Sequence, residues 1–307
     1  MSTRLCFAMG LAVASHLLSA MFPFVAAAGM KALGIFPACF VFYAVSTCLV
    51  MFVGIASRRC RNESRSSLKQ LGGENVWPKF FWAIYFFACA GGCYYLGLAI
   101  ASNKLEFMFL TRLDWIIQMP VVVLFLREVM TRRNLLGAVI AALGGIVIGW
   151  TGALGLSGVL YAVGYVGASV CAYTLVRSLF NVKPASSGFM LMAIRNVAMM
   201  LVFAILMAID VATLKNMAAT NSSFMLVLVA GTFLFFLFWA RFEALRAIPL
   251  WLFAALAPLQ TVGGVIIAFA VGELLSSLAL TGVCLVSVGE LIIAYDMRRQ
   301  LLQAGQA

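Results

Sequence analysis

Ten apolar runs divide this chain: residues 5–29, 36–56, 80–101, 107–126, 135–150, 157–179, 188–208, 224–245, 250–271 and 278–295. A helix that crosses a bilayer needs about 20 apolar residues, and most of these runs approach that length. Lipid offers the backbone no hydrogen-bond partners, so only helices and closed barrels can span it. Continuous apolar runs of this length specify helices. With 64% apolar and only 10% charged residues, a soluble domain is excluded. The net charge of +11 does not point to nucleic acid, because the basic residues stand between the spans, where membrane topology places them. The eight cysteines are scattered and mostly within spans. Cys89 and Cys93 share a helix face and are read as packing residues.

The spans are organised by a duplication. Residues 107–150 hold two spans, FMFLTRLDWIIQMPVVVLFL and LLGAVIAALGGIVIGW, joined by the turn REVMTRRN, and the layout returns 145 positions later at 252–295. At that single offset Glu128 falls on Glu273, Thr131 on Ser276, Gly137 on Gly282 and Gly144 on Gly289. Leu105 likewise falls on Leu250, and Gly10 on Gly155. The chain therefore divides into two five-span units, 1–150 and 151–307. The first span imitates a secretory signal, with Arg4, an apolar run and Ala26-Ala27-Ala28. Because it pairs with the internal span 157–179 it is kept as a helix, bent at Pro23.

Fifteen basic residues, from Arg4 and the stretch 57–79 to Arg298 and Arg299, fall on the side that holds the N-terminus. Only three, Lys31, Lys104 and Lys215, fall on the other. Both termini and the loop 57–79 are expected to be cytoplasmic. An odd number of spans per unit then inverts the second unit relative to the first. The expected fold class is an all-α membrane protein with ten transmembrane helices in two inverted five-helix repeats, the architecture of alternating-access carriers.

The run "Pro120, apolar stretch, Arg127-Glu128-x-x-Thr131, Gly137, Gly144" and its echo "Pro258, apolar stretch, Gly272-Glu273-x-x-Ser276, Gly282, Gly289" resemble the EamA-type repeat of the drug/metabolite transporter superfamily. The resemblance covers nearly the whole chain. It implies a central cavity lined from both halves, with the fifth and tenth helices more peripheral, and a cargo of amino acids, cofactors, sugar derivatives or drugs, often carried outward. Arg112 and Asp114 in the fourth span and Glu290 in the tenth depart from the general repeat pattern.

The repeated motif is read as structural. Thr131 and Ser276 stand where the next helix begins, and a hydroxyl there can accept a bond from an orphan backbone N–H. Glu128 and Glu273 lie near that positive helix end. Gly137 with Gly144, and Gly282 with Gly289, recur every seven residues and form a face for close helix approach.

Intramembrane charge is costly and points to function. Treated as one continuous helix, the fourth span puts Met108, Thr111, Trp115, Gln118 and Met119 on one face, flanked by Asp114 and, roughly 160° away, Arg112. That face is read as the wall of a cavity, to which Arg195 of the seventh span, Tyr161 and Gln260 are added. Arg112 and Arg195 either join this wall or snorkel toward an interface. Arg241 and Glu243, close to the cytoplasmic end of the eighth span, are read as interfacial anchors. Glu290 is expected to take a hydroxyl partner from another helix. His16, the lone histidine, lies near the middle of the first span, with Tyr161 as its counterpart. It is either a packed neutral residue or, with Asp114, a proton-coupling group.

The deep charges then balance, Arg112 and Arg195 against Asp114 and Glu290, among the flat walls Tyr94, Tyr95, Trp115, Tyr161, Tyr165 and Trp239. A zwitterionic or neutral metabolite fits such a site, an amino acid first, and the family likeness implies an exporter. The chain is expected to be a multi-pass protein of the plasma or inner membrane. Its partners are then a small-molecule substrate, the lipid bilayer and a coupling proton, with a homodimer left open, and with no cofactor, metal or nucleic acid. Two other classes remain. Gly155-Leu156-Ser157-Gly158 resembles the serine motif of rhomboid-type intramembrane proteases, but the lone histidine sits in the wrong span to serve it. A transport-dead sensor or assembly protein could use the same fold.

Overall fold

In the computed structural model of the chain, the structure describes residues 3–57, 62, 77–101, 104–126, 131–150, 154–182, 188–209, 221–248, 250, 253, 256–272 and 275–304. Among them every regular element is an α-helix: α1 (Thr3–Leu33), α2 (Ile35–Ala56), α3 (Trp77–Ile100), α4 (Lys104–Thr111), α5 (Leu113–Leu126), α6 (Arg132–Trp150), α7 (Gly155–Val182), α8 (Gly188–Ile209), α9 (Asn221–Ala247), α10 (Ala257–Ala270) and α11 (Ser277–Ala304). α4 and α5 are one helix interrupted at Arg112, which makes ten. Seven helices, α1, α2, α3, α7, α8, α9 and α11, are long and apolar enough to cross a membrane. Large apolar side chains cover the outside, including Phe7, Phe52, Phe125 and Leu156 at 64–77% exposure. Water would penalise such a surface heavily, whereas acyl chains accept it. The protein is a membrane-embedded helical bundle. Glu128, Glu273 and nearly all of the stretch 57–79 lie outside the described residues.

Local chemistry sets the helix ends. Gly34 separates α1 from α2 at φ 86°, a conformation that side chains with a Cβ rarely adopt, and its N–H returns to the Met30 carbonyl at 2.9 Å. Thr131 Oγ1 accepts the Asn134 N–H at 3.2 Å at the start of α6. Ser276 Oγ accepts the Ala279 N–H at 3.1 Å at the start of α11. α1 continues through Pro23 as a single helix.

Two spans that read as continuous are broken. In the fourth, Arg112 N–H bonds Phe109 O at 3.1 Å and Trp115 N–H bonds Arg112 O at 3.3 Å, so the ladder tightens to a three-residue step. The Thr111 hydroxyl donates to Met108 O at 2.7 Å, drawing on a carbonyl the regular helix would use. In the ninth, Leu250 and Phe253 are helical, Leu256 is a turn, and a second helical segment begins at Ala257 with Pro258 in its first turn. Proline has no N–H to continue a helix from the preceding turn, and it suits the first positions of a new one. Leu256 and Leu259 there make the same short-step bonds, to Phe253 O at 3.2 Å and Leu256 O at 3.1 Å.

α3 packs along α7, α1 along α9, α2 along α8 and α9, and α6 along α11. The last seam is the closest. A Cβ built on Gly137 would lie 2.6 Å from the Gly289 carbonyl oxygen, and one on Gly144 would lie 2.6 Å from that of Gly282. Only glycine allows two backbones this near.

Candidate functional site

Residues from α1, α2, α3, α4, α5, α7, α8, α9 and α10 surround one partly open cavity in the bundle; among the described residues none of its lining comes from α6 or α11. It leaves about 80 Å³ for the centres of water-sized spheres. One water needs roughly 10–15 Å³ by that measure, so several fit. Aromatic rings form most of the wall, among them Phe22, Tyr43, Phe87, Tyr94, Tyr95, Trp115, Tyr165 and Tyr173.

The break at Arg112 positions the polar part. On an uninterrupted helix Arg112 and Asp114 would face opposite ways. With the break between them, Thr111, Arg112, Asp114 and Trp115 all line the cavity. The wheel drawn on the sequence fails here because it assumes a constant 100° step. Asp114 Oδ2 accepts the Ser169 hydroxyl at 2.9 Å and the Tyr165 hydroxyl at 3.3 Å, both from α7. Arg112 makes one long contact, to Ser19 O at 3.5 Å, and its Nε has no partner.

Arg195 reaches the cavity from α8, at 4% exposure, so it does not snorkel. It donates to Asn196 Oδ1 at 3.1 Å and Tyr43 Oη at 3.3 Å, and it lies 3.5 Å from the centre of the Phe238 ring. Its Nε is also unpartnered. Asn196 is tied in turn to Ser46 on α2 at 2.7 Å.

Arg241 is the residue that sequence reasoning misplaced. It is 4% exposed and lines the cavity. It donates to Tyr173 Oη at 2.7 Å, Ser19 Oγ at 2.6 Å and Ser15 Oγ at 3.3 Å. Trp115, Tyr173, Phe238 and Phe253 surround its guanidinium at 5.3–6.0 Å. Six residues from the end of α9 is about 9 Å of helix, enough to bury it. Glu243, by contrast, remains half-buried beside Arg246 at 3.8 Å. A signal was present. The chain has 21 Lys and Arg, and the loop tally uses all but Arg112, Arg195 and Arg241. The three left over all line the cavity.

Gln260 lines the cavity and also holds His16, whose Nδ1 is 3.1 Å from Gln260 Oε1. His16 Nε2 is 3.0 Å from Phe253 O, a group that only accepts, so Nε2 carries a proton. When the ring is neutral, Gln260 must turn its NH₂ to Nδ1; when it is protonated, its oxygen. His16 itself is fully buried behind the wall, edge-on to Trp115 at 5.8 Å.

Gln118 and Tyr161 are not among the lining residues. The Gln118 amide is bound to α7, at 2.6 Å from Thr174 Oγ1 and 3.3 Å from Val170 O. Tyr161 packs near Gly97 and Phe107. Glu290 accepts the Thr261 hydroxyl at 3.1 Å in the α10–α11 region and is likewise outside the lining. The Met119 side chain lies outside the described ones. Among the described residues no three His, Cys, Asp or Glu form a metal-binding group.

These features define a class: a membrane-embedded helical bundle with an internal, partly open cavity of arginines, one aspartate and aromatic rings. No family model and no curated protein sequence matches the chain. A solved structure described only as "Crystal structure of protein" is similar to it, with a TM-score of 0.68 at 13% identity, over 95% of this chain and 98% of that one. At that identity the likeness is one of fold alone.

Proposed function

We propose that the chain is a secondary transporter of the ten-helix EamA-like type, moving a small metabolite by alternating access between two inverted repeats. The observation that carries the reading is the cavity. It is lined mostly by buried side chains from both halves of the chain and is large enough for a small solute or several waters. Charged groups at membrane depth mark solute pathways far more often than packing. Helices broken beside a central site are a recurring transporter feature, and the α4–α5 break falls at the cavity residues Thr111, Arg112 and Asp114.

The repeat reading has support in the packing. Shifting by 145 turns the Gly137–Gly289 contact into Gly282–Gly144, and the Thr131 cap on Asn134 into the Ser276 cap on Ala279. The pairing of α3 with α7 likewise exchanges with that of α9 with α1, while α2–α8 and α6–α11 exchange with themselves. Export, plasma- or inner-membrane location and cytoplasmic termini belong to the same proposal, the last resting on the basic asymmetry of the loops. The protease alternative is disfavoured because both ring nitrogens of His16 are engaged by Gln260 and Phe253, while Ser157 is exposed at the start of α7.

Purified protein in proteoliposomes, offered a panel of labelled solutes, should give saturable flux above empty liposomes for at least one chemical class. A protein that binds a solute in its cavity yet gives no flux in either direction would be a sensor on a transporter fold.

A further inference from the structure

The balance of charge read from the sequence sets Arg112 and Arg195 against Asp114 and Glu290. In the fold Glu290 is not part of the cavity wall and Arg241 is. Three guanidinium groups therefore share the cavity with one carboxylate, which leaves two positive charges in excess. Among the described residues no carboxylate oxygen stands within 4.0 Å of any of them.

The three arginines form a connected group. Arg112 and Arg241 meet at Ser19, one on its carbonyl and the other on its hydroxyl. Arg195 and Arg241 share the ring of Phe238. An arginine has five N–H donors in one plane. Arg241 uses three of them within the protein, Arg195 two and Arg112 one. Rings cover guanidinium faces and leave edges to take oxygen acceptors. Asp114 is less needy, because its Oδ2 already takes two hydroxyls.

We infer that the natural ligand of this cavity is a small organic dianion, a dicarboxylate or a phosphate monoester, with a flat apolar body that lies against the aromatic walls. Two negative charges neutralise the excess, and their oxygens take the donors that the protein leaves unpaired. A zwitterion would leave the excess in place, and a cation would add to it. The inference depends on the transport reading only in that the ligand would then be the cargo.

Equilibrium binding to the purified protein in nanodiscs tests it, with phthalate and phenyl phosphate as dianions, phenylalanine as zwitterion and phenethylamine as cation. At least one dianion should bind roughly tenfold or more tightly than phenylalanine or phenethylamine, the difference expected for charge-assisted hydrogen bonds. Which dianion binds tighter distinguishes a carboxylate from a phosphate head group. Arg112→Gln should weaken the dianion about tenfold or more, and Arg112→Lys much less. Asp114→Asn removes the one opposing charge and should tighten the dianion, whereas a site built for an ammonium would lose affinity. If Arg112→Gln fails to fold, the sign of the Asp114→Asn effect decides. Equal or tighter binding of phenylalanine or phenethylamine, no saturable binding of either dianion, or weaker dianion binding in Asp114→Asn overturns the inference. Dianion binding without flux would leave it standing and sink the transport reading; phenylalanine flux without dianion binding would do the reverse.

Discussion

Gly289→Ala adds one methyl to a helix whose length and polarity it leaves unchanged. The new Cβ would stand 2.4 Å from the Gly137 carbonyl oxygen, 2.6 Å from Ala141 Cβ and 2.7 Å from Ala141 N. Two of those atoms are backbone, so no rotamer change relieves them. Reaching ordinary contact means moving α11 away from α6 by roughly 1 Å, and a gap of that size forfeits a quarter to a half of each dispersion contact along the seam. Overpacking of this kind costs about 1–3 kcal/mol. Any Gly→Ala change within a helix also gains up to about 1 kcal/mol of propensity, which must be subtracted. Gly167→Ala and Gly10→Ala supply that correction, because nothing lies within 4 Å of either site. The difference between Gly289→Ala and these controls should therefore be about 1–3 kcal/mol, or on the order of 2–10 °C in unfolding midpoint. Thermal unfolding of the detergent-solubilised protein, followed by tryptophan fluorescence, measures it. Gly144→Ala, whose Cβ meets Gly282 O at 2.6 Å, should behave like Gly289→Ala. Midpoints for both seam variants equal to the controls would mean that α6 and α11 do not pack backbone to backbone.

The cap residue of α6 also ties across that seam, because the Thr131 hydroxyl donates to Asp296 on α11. Thr131→Ala and Ser276→Ala each remove one bond to a backbone N–H and one to a carboxylate on another helix, Asp296 for Thr131 and Glu106 for Ser276, and should cost about 1 kcal/mol or more in the same assay; no loss in either would discount the caps. For proton coupling, Asp114→Asn should leave the fold intact but abolish the response of flux to an imposed pH gradient, and His16→Gln is the second candidate because Gln260 links that ring to the cavity. Gradient-driven flux surviving in both variants would remove both residues from the coupling path. Single cysteines near Lys69 and near Lys215 should be labelled from opposite faces by an impermeant reagent, and labelling of both in intact cells would refute the assigned topology.

What could be read from the residues is what depends on near neighbours or on bulk solvent. Apolar runs such as 36–56 and 188–208 meet only lipid or other helices, so hydropathy and length alone specify them as helices, α2 and α8. A hydroxyl at Thr131 or Ser276 acts on an N–H three positions on, within the range that sequence spacing controls. The breaks at Arg112 and before Ala257 escaped, because a helical wheel assumes the regularity that a single turn removes. Arg241 escaped for a related reason. Its distance from the end of α9 permits either snorkelling or burial, and the choice rests on Ser15, Ser19 and Tyr173, which lie 226, 222 and 68 positions away in the chain. The alternation of apolar spans with basic loops determines a membrane-embedded bundle of helices. The net charge of its cavity is set by which guanidinium groups find distant hydroxyls and aromatic rings to make burial tolerable, and only the packed tertiary structure brings those partners together.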